Sequence, residues 1–468
     1  MELITDDLLL NTVNDKVKMY EKGILSIMNK KFSTSLLMTV LITSLCFGEA
    51  QSIFAEENFD EYTLDTMVVT ATRTEKRDVD VPASTEIITY EDIVDSGSVN
   101  AMEAVSKMLG VDYNTYLPGG SAQTSMTNEI NVRGFSYGTL ILVNGNPINL
   151  NNTYVIDAIP AEAIERIEVV KGGGSVLYGS EDQSGVINII TKKKVSNKVR
   201  VGFGNYKQQQ YNVAVGNDKL KINYDLKKWG YVKEARYTAA NTYTNLKESS
   251  NENIGIGYNF NDQLSFEYNH LDTEVSYESL KKGRLNSFTD SSNKQDLIQL
   301  NYNGNKTKGH AWFNKTKLDY AGSSARNLFE NESFGADLQQ NIELNNKSLL
   351  TVGGVYKREV YNSKLKKGKP SIGKKARNQM GLFAQLDYKF NDKDNVIIGG
   401  RGTWTSSESN GQSYDNFSTS AQYIHKFDQD KSFYVSVAES FVMPSFKQMF
   451  PYSWVETKPN PDLKPQEG

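Results

Sequence analysis

The chain has a single cysteine among 468 residues, and that one, Cys46, lies in an apolar N-terminal run. A disulfide framework is excluded, and so is a metal site built on cysteine pairs. Histidine is almost as scarce. The three, His270, His310 and His425, are widely separated, so no His-based metal motif is visible. Neither sign of charge dominates: 52 Lys and Arg stand against 56 Asp and Glu, a net −4. That balance gives neither a nucleic-acid footprint nor an acidic tail. No apolar run is long enough to cross a bilayer as a helix, the strongest being Leu36 to Phe47, LLMTVLITSLCF.

That run follows Lys30 and Lys31 and precedes small residues. Basic start, apolar middle and small-residue end make a secretion signal. Cleavage after Ala55 fits best, with Ala50 as the alternative. Leu45, directly before Cys46, is too bulky for the lipoprotein pattern. Met28 opens the signal at residues 28–55, and residues 1–27 read as an upstream extension.

What is abundant is tyrosine and phenylalanine, 26 and 20 against only 4 tryptophans. Such rings suit strands and membrane-interface girdles, and equally a soluble all-β protein. Residues 56–80 read as an acidic stretch, a β-favouring segment from Thr66 to Thr72, and a charged linker from Arg73 to Asp80. A mixed α+β domain spans 81–195. Within it Ser84–Thr89, Glu129–Val132, Thr139–Val143, Ile167–Val170 and Val186–Thr191 read as strands. Val99–Met108 and Ala161–Arg166 read as helices, and Asn144-Gly145 signals a tight turn. Gly172-Gly173-Gly174 lacks the ending of a phosphate loop and reads as a turn. Glu181-Asp182 and Asp78 with Asp80 read as solvated loop carboxylates rather than a Ca²⁺ site.

From Lys198 onward, segments alternate apolar and polar. Val199, Val201 and Phe203 share one face. So do Ile254, Ile256, Tyr258 and Phe260, then Leu382, Ala384, Leu386 and Tyr388, then Phe433, Val435 and Val437. A soluble sandwich turns the polar face to water, whereas a membrane barrel turns the apolar face to lipid and the polar face to its lumen. The signal, the near-absence of cysteine and the contrast of short turns (Asn217-Asp218, Asn391 to Asp394) with long polar stretches favour the barrel. Tyr277 to Lys294 and Asn362 to Asn378 read as external loops. The expectation is a mainly β protein, an antiparallel transmembrane barrel over 196–468 with the α+β domain in its lumen.

Four ordered motifs resemble the TonB-dependent receptors. Ile164 to Lys192, IERIEVVKGGGSVLYGSEDQSGVINIITK, is similar to that family's signature. So are Asn131-Val132-Arg133-Gly134-Phe135 and Ile141-Leu142-Val143-Asn144-Gly145-Asn146-Pro147. Asp65-Thr66-Met67-Val68-Val69-Thr70-Ala71 resembles the TonB box. Ser440-Phe441, Met443-Pro444 and Asn460-Pro461-Asp462-Leu463-Lys464-Pro465 resemble a barrel motif. Two departures fall in turns: Gly173 where the family has Pro, and Ser184 before Gly185 where it has a second glycine.

The resemblance implies a receptor in a Gram-negative-type outer membrane that imports a metal chelate, without enzymatic chemistry and without a cofactor. The TonB box would pair by strand addition with TonB and its inner-membrane complex, since main-chain bonds supply affinity with little sequence demand. Arg133 and Arg166 would seat the plug against barrel carboxylates. The DTMVVTATRTEK opening resembles catecholate and colicin-type receptors, which favours a ferric siderophore. Cobalamin is the alternative. Haem ranks lower, because no His falls between Met443-Pro444 and Asn460. A passive porin or adhesin would need neither plug nor TonB box, and an outer-membrane hydrolase would need a catalytic set that is not legible. The alternating segments number about 13 or 14 against roughly 22 in a plugged transporter, and the chain ends on Pro465-Gln466-Glu467-Gly468. The expectation is a C-terminally truncated member whose sheet has two open edges.

Overall fold

The structure is a computed structural model. It describes residues 67–68, 70, 73–74, 76–113, 130–134, 138–150, 154–172, 175–180, 183–239, 241–323, 326–366, 373–407, 413–450 and 460–468. The expected leader at 28–55, the extension at 1–27, Asp65, Thr66, Val69, Ala71, Phe135, Gly173-Gly174 and Glu181-Asp182 lie outside these residues.

The N-terminal region contributes nine short strands. β1 (Met67–Val68) pairs with β2 (Lys76–Arg77). Next come β3 (Ser84–Thr89), β4 (Val111–Tyr113), β5 (Ile130–Val132), β6 (Thr139–Val143), β7 (Asn146–Pro147), β8 (Ile164–Lys171) and β9 (Gly185–Thr191). A five-stranded sheet runs β3-β8-β9-β6-β7, with β6 and β9 parallel and the other pairs antiparallel. Every residue of β6 is buried. Ile141 and Val143 enter the main core, while Leu140 and Leu142 enter a second cluster on the opposite face. A strand buried on both sides reads as a continuous apolar run, which is why TLILV shows no alternation.

Two short helices cover the main core. Thr89 caps α1 (Tyr90–Asp95) in a reciprocal capping box with Asp92. Asn100 caps α2 (Ala101–Val105), which buries Ala101, Met102, Ala104 and Val105. A third, α3 (Ser175–Tyr178), precedes β9. The helix expected over Ala161–Arg166 is only a 3-10 turn at Ala161–Ala163, and β8 already begins at Ile164. Ile164, Ile167 and Val169 are drawn into the core, and cross-strand burial outweighs the local helical signal. The turn at Asn144-Gly145 has positive φ at both residues, 52° and 82°, as a tight hairpin requires.

The remaining strands form one large antiparallel sheet. They are β10 (Lys198–Gly204), β11 (Gln208–Gly216), β12 (Leu220–Trp229), β13 (Val232–Ala239), β14 (Thr242–Asn259), β15 (Leu264–Lys281), β16 (Arg284–Asn303) and β17 (Thr307–Gly322). Then follow β18 (Arg326–Asn345), β19 (Ser348–Lys366), β20 (Gly373–Lys389), β21 (Asp394–Ser407), β22 (Tyr414–Lys426) and β23 (Ser432–Ala438). The sheet has 14 strands in sequence order, with β13 paired only to β14. Among the described residues its first and last strands are not paired with each other.

The sheet is built inside out relative to a soluble sandwich. Leu382, Ile398, Phe417 and Val437 are 49%, 55%, 68% and 70% exposed on the face turned away from the plug. Asn251, Asn293, Gln295, Gln299 and Asn331 are buried on the other. Only a wall with lipid outside and a filled lumen inside makes that pattern favourable. No helix among the described residues is long and apolar enough to cross a membrane, which says nothing of strands.

β16 and β18 each have 20 residues, about 65 Å at ~3.3 Å per residue, whereas roughly 10 residues suffice to span a bilayer. This corrects one expectation. Tyr277 to Lys294 is not an irregular loop: β15 and β16 continue to a two-residue turn at Lys282-Gly283, both with positive φ. Above the bilayer both faces meet water, so the alternation fades although the ladder persists.

Beyond β23, β24 (Phe441–Val442) pairs with β25 (Gln466–Glu467), and α4 (Phe446–Met449) lies between them. Phe446 stacks on Tyr361 at 5.8 Å, which tethers this segment to the inner wall.

Candidate functional site

The N-terminal segment runs across the end of the wall opposite to the one at which β15 and β16 extend into their long hairpin. In barrels of this kind that end faces the periplasm. Thr70 is completely buried. Its amide and its hydroxyl both donate to Oε2 of Glu168, at 2.8 and 2.6 Å. Asn188 Nδ2 donates to the Thr70 hydroxyl at 3.0 Å, and the Tyr178 hydroxyl donates to the Thr70 carbonyl at 2.8 Å. All three partners belong to the plug, on β8, β9 and α3.

The next residues are held by the wall instead. Arg73 Nη1 donates to both oxygens of Asp337 on β18, at 2.8 and 3.0 Å. The guanidinium lies 4.7 Å from the Tyr178 ring centre and 5.0 Å from that of Phe383. Gln339 Nε2 donates to the Arg73 carbonyl at 3.0 Å. Burial opposes the Arg73 charge, but Asp337 and the Tyr178 hydroxyl outweigh it, so its pKa is raised. Lys76 pairs with Asp387 on β20. Asp80 pairs with Arg77 at 3.1 Å and with Lys426 of β22 at 3.0 Å. These cations, more than the burial penalty, hold the Asp80 carboxyl below its usual range. The linker is thus pinned to β18, β20 and β22 in turn. Thr70, Arg73 and Asp337 line a cavity of about 990 Å³ that also reaches the Asn144-Gly145 turn and His310.

The rest of the plug meets the wall mostly through amides. Asn144 Nδ2 donates to Glu267 at 2.7 Å, and Asn146 Nδ2 to Asn301 at 2.9 Å. Gln295 and Asn314 donate to the Ile148 carbonyl at 3.1 and 3.0 Å, and Gln299 to the Val143 carbonyl at 3.0 Å. Apolar contact is sparse by comparison: Leu271 and Leu297 are the wall residues that join the plug core. A lumen filled through hydrogen bonds can exchange them for water as the plug moves, which a purely apolar interface cannot do without a large penalty.

Of the residues expected to matter, Met67 and Val68 form β1, and Thr70 carries the contacts above. Arg166 pairs with Glu165 at Nη1 and with Glu168 at Nε, 3.0 Å, both within the plug. Arg133 is exposed on a turn with φ of 54°. The structure therefore does not bring Arg133 and Arg166 together on described wall carboxylates. Instead Arg73, Lys76 and Asp80 bridge to the wall. Sequence reasoning placed all three in a charged linker without assigning partners. Their signal was available: Asp337 and Asp387 are carboxylates at inward-facing positions of largely uncharged stretches, opposite a charged linker that holds Arg73 and Lys76.

At the other end of the wall, where strands run long, a cavity of about 510 Å³ is lined by Glu274, Asp290, Asp319 and Arg326, among others, and Glu274 and Asp319 stand in register on the face opposite to that of Asn251, Thr273 and Asn293. Among the described residues no cluster of His, Cys, Asp and Glu fits a metal ion.

A polar-lined wall of strands around a folded domain, with a clasped N-terminal segment at its base, defines a plugged β-barrel. The model of the TonB-dependent Receptor Plug Domain matches residues 77–186, and that of the TonB dependent receptor-like β-barrel matches residues 193–468. The chain belongs to the TonB-dependent receptors, a family of outer-membrane transport receptors. It is 24% identical over 459 residues to the vitamin B12 transporter BtuB of Vibrio vulnificus, covering 94% of this chain and 70% of that one. Two solved structures are similar in fold. The ferripyoverdine receptor of Pseudomonas aeruginosa gives a TM-score of 0.60 at 14% identity, covering 81% of this chain and 60% of that one. The ferric-catecholate import receptor Fiu of E. coli gives 0.61 at 13%, covering 86% and 73%. The chain thus spans less than two thirds of the ferripyoverdine receptor's length.

Proposed function

We propose that this receptor captures a ferric siderophore at the long-strand end of its barrel and admits it when TonB draws on residues 65–71. The observation that carries the reading is the clasp at the base. Thr70, Arg73 and Lys76 are held to the plug and the wall by side chains, and the short β1–β2 ladder joins neither the plug sheet nor the wall, so the segment is detachable. A free extended segment offers main-chain donors and acceptors to a partner strand. The outer membrane has no nucleotide supply of its own, so work on the plug has to arrive through such a contact. Arg133 and Arg166 keep a proposed seating role in the assembled receptor. Support for an iron chelate comes from the TonB-box-like opening and from the kind of receptor that shares the fold.

Cobalamin is the second reading, favoured by a relative matched over 94% of the chain being a vitamin B12 transporter. A growth-rescue panel separates them. A strain lacking its own receptors and carrying this gene is fed ferric catecholates, ferric hydroxamates or cobalamin under the matching starvation. Rescue by iron chelates alone supports the first reading. Rescue by cobalamin alone replaces it.

A further inference from the structure

We infer that Glu168 is the latch that holds or releases the N-terminal segment, and that Asn188 links this latch to the Asn144-Gly145 turn. The inference rests on reading residues 65–71 as the transducer contact. Thr70 and Glu168 are both 0% exposed. Three polar groups of one residue, the Thr70 amide, hydroxyl and carbonyl, are engaged by plug side chains. Two of those bonds end on a single carboxylate oxygen, while the other oxygen accepts from Arg166 Nε. Bonds to a buried carboxylate are stronger than neutral ones, and leaving such a donor unmatched is costly.

Position gives the latch its meaning. Glu168 and Asn188 stand opposite each other in the β8–β9 ladder. The Asn188 side chain is divided: Nδ2 donates to Thr70, and Oδ1 accepts from the Gly145 amide at 3.1 Å. The turn that contains Gly145 is in turn tied to the wall by Asn144 to Glu267 and Asn146 to Asn301. A displacement of this turn therefore pulls on Asn188, and Asn188 on Thr70. The clasp at Lys76 senses the linker against the barrel alone, whereas Arg73 meets the wall at Asp337 and the plug only at the Tyr178 ring. The segment is held by two bodies, and the Thr70 bonds tie it to the β8–β9 ladder of the plug. Glu168 is a positioning residue in this scheme and touches no transported solute.

The test uses the full chain in membranes, carrying Cys46→Ser and a nitroxide on Thr66→Cys. Continuous-wave EPR reads the ratio of mobile to immobile label. Glu168→Gln keeps the shape of the side chain but replaces one acceptor by a donor. Thr70→Val removes the hydroxyl and leaves the plug intact. Each should raise the ratio roughly tenfold, as loss of charge-assisted bonds implies. The double variant should go no further than the larger single effect, since both remove one interaction. Amide protection at Ile187 and Ile189 checks the plug; if Glu168→Gln lowers it, Thr70→Val alone decides. An unchanged ratio in Thr70→Val, or effects that add in the double variant, overturns the latch. Binding of the purified periplasmic domain of TonB is measured in parallel. A freed segment that fails to bind it refutes the transducer reading and leaves the latch standing, whereas an unchanged ratio refutes the latch and leaves that reading standing.

Discussion

Replacing Asp337 by Asn should make the transducer bind this receptor much more tightly, although no contact with the transducer is altered. The pair is largely buried, with side-chain exposures of 14% for Arg73 and 9% for Asp337. Removing one partner of a buried pair costs about 3–5 kcal/mol. Two features lower that figure here. The cavity of about 990 Å³ beside the pair admits water, and Tyr178 and Phe383 keep the guanidinium in favourable contact with their rings. A loss of about 2–3 kcal/mol is the reasonable magnitude, which raises the released population roughly 30- to 150-fold. Apparent affinity scales with the fraction of receptor in the binding-competent state, so Kd for the periplasmic domain of TonB should fall by a similar factor until that fraction nears one. Isothermal titration on purified wild-type and variant receptor measures it. Arg73→Ala should act alike, and the double variant should match the singles. A Kd within twofold of wild type in all three would refute the reasoning, because the clasp would then not oppose release.

Four other outcomes follow. Val69→Pro should abolish uptake while solute binding at the cell surface stays intact, since proline removes a ladder donor; wild-type uptake in the variant would end the TonB-box reading. Gly185→Ala should destabilise the plug sheet, because the added Cβ would stand 2.3 Å from the Val170 carbonyl oxygen at a φ of +148°, and proteolysis of the plug is the readout. Ile398→Arg on the lipid face should cost about 2–4 kcal/mol in a liposome refolding titration, whereas Gln385→Arg, facing the lumen, should cost less. Burial, assisted by Lys198, lowers the Lys192 pKa from 10.5 to about 8, and Nζ lies 3.1 Å from the centre of the Tyr90 ring. Between those two values the unfolded chain holds more protons than the folded one, so stability contributed at this site should rise from pH 8 to 10.5, and Lys192→Met should remove the rise.

Much of this architecture was readable where a physical period or a steric demand wrote it into the residues. Ser84–Thr89 and Thr139–Val143 are strands as expected, and the Asn144-Gly145 turn follows from the positive φ that only a few residue types tolerate. The outward faces of β10, β14, β20 and β23 were legible from alternation alone, and the exposed Val201, Ile256, Leu382 and Val435 resolve the choice between sandwich and barrel. What failed lay where the period carries no information. Thr289 to Lys294 lie in strand β16, where polar residues on both faces imitate a loop. Ile164 to Arg166 took a strand because the core wanted Ile164 and Ile167 on one wall. The clasp was invisible for a different reason. Arg73 and Asp337 are 264 positions apart, and nothing local says which inward carboxylate a linker cation will reach. Glu168 was read as part of a motif, yet its role depends on Thr70, which approaches it only after the segment folds back under the plug.

Energised import is the central claim, and uptake of labelled chelate with and without an inner-membrane proton gradient tests it most directly. Cells carrying this receptor are given the radiolabelled ferric siderophore that rescues growth, then filtered over a time course, with or without a protonophore. Surface binding should be the same in both, and accumulation beyond that level should collapse when the gradient is dissipated. Accumulation that continues unchanged without the gradient would mean that the solute passes through an open pore, and would contradict the account.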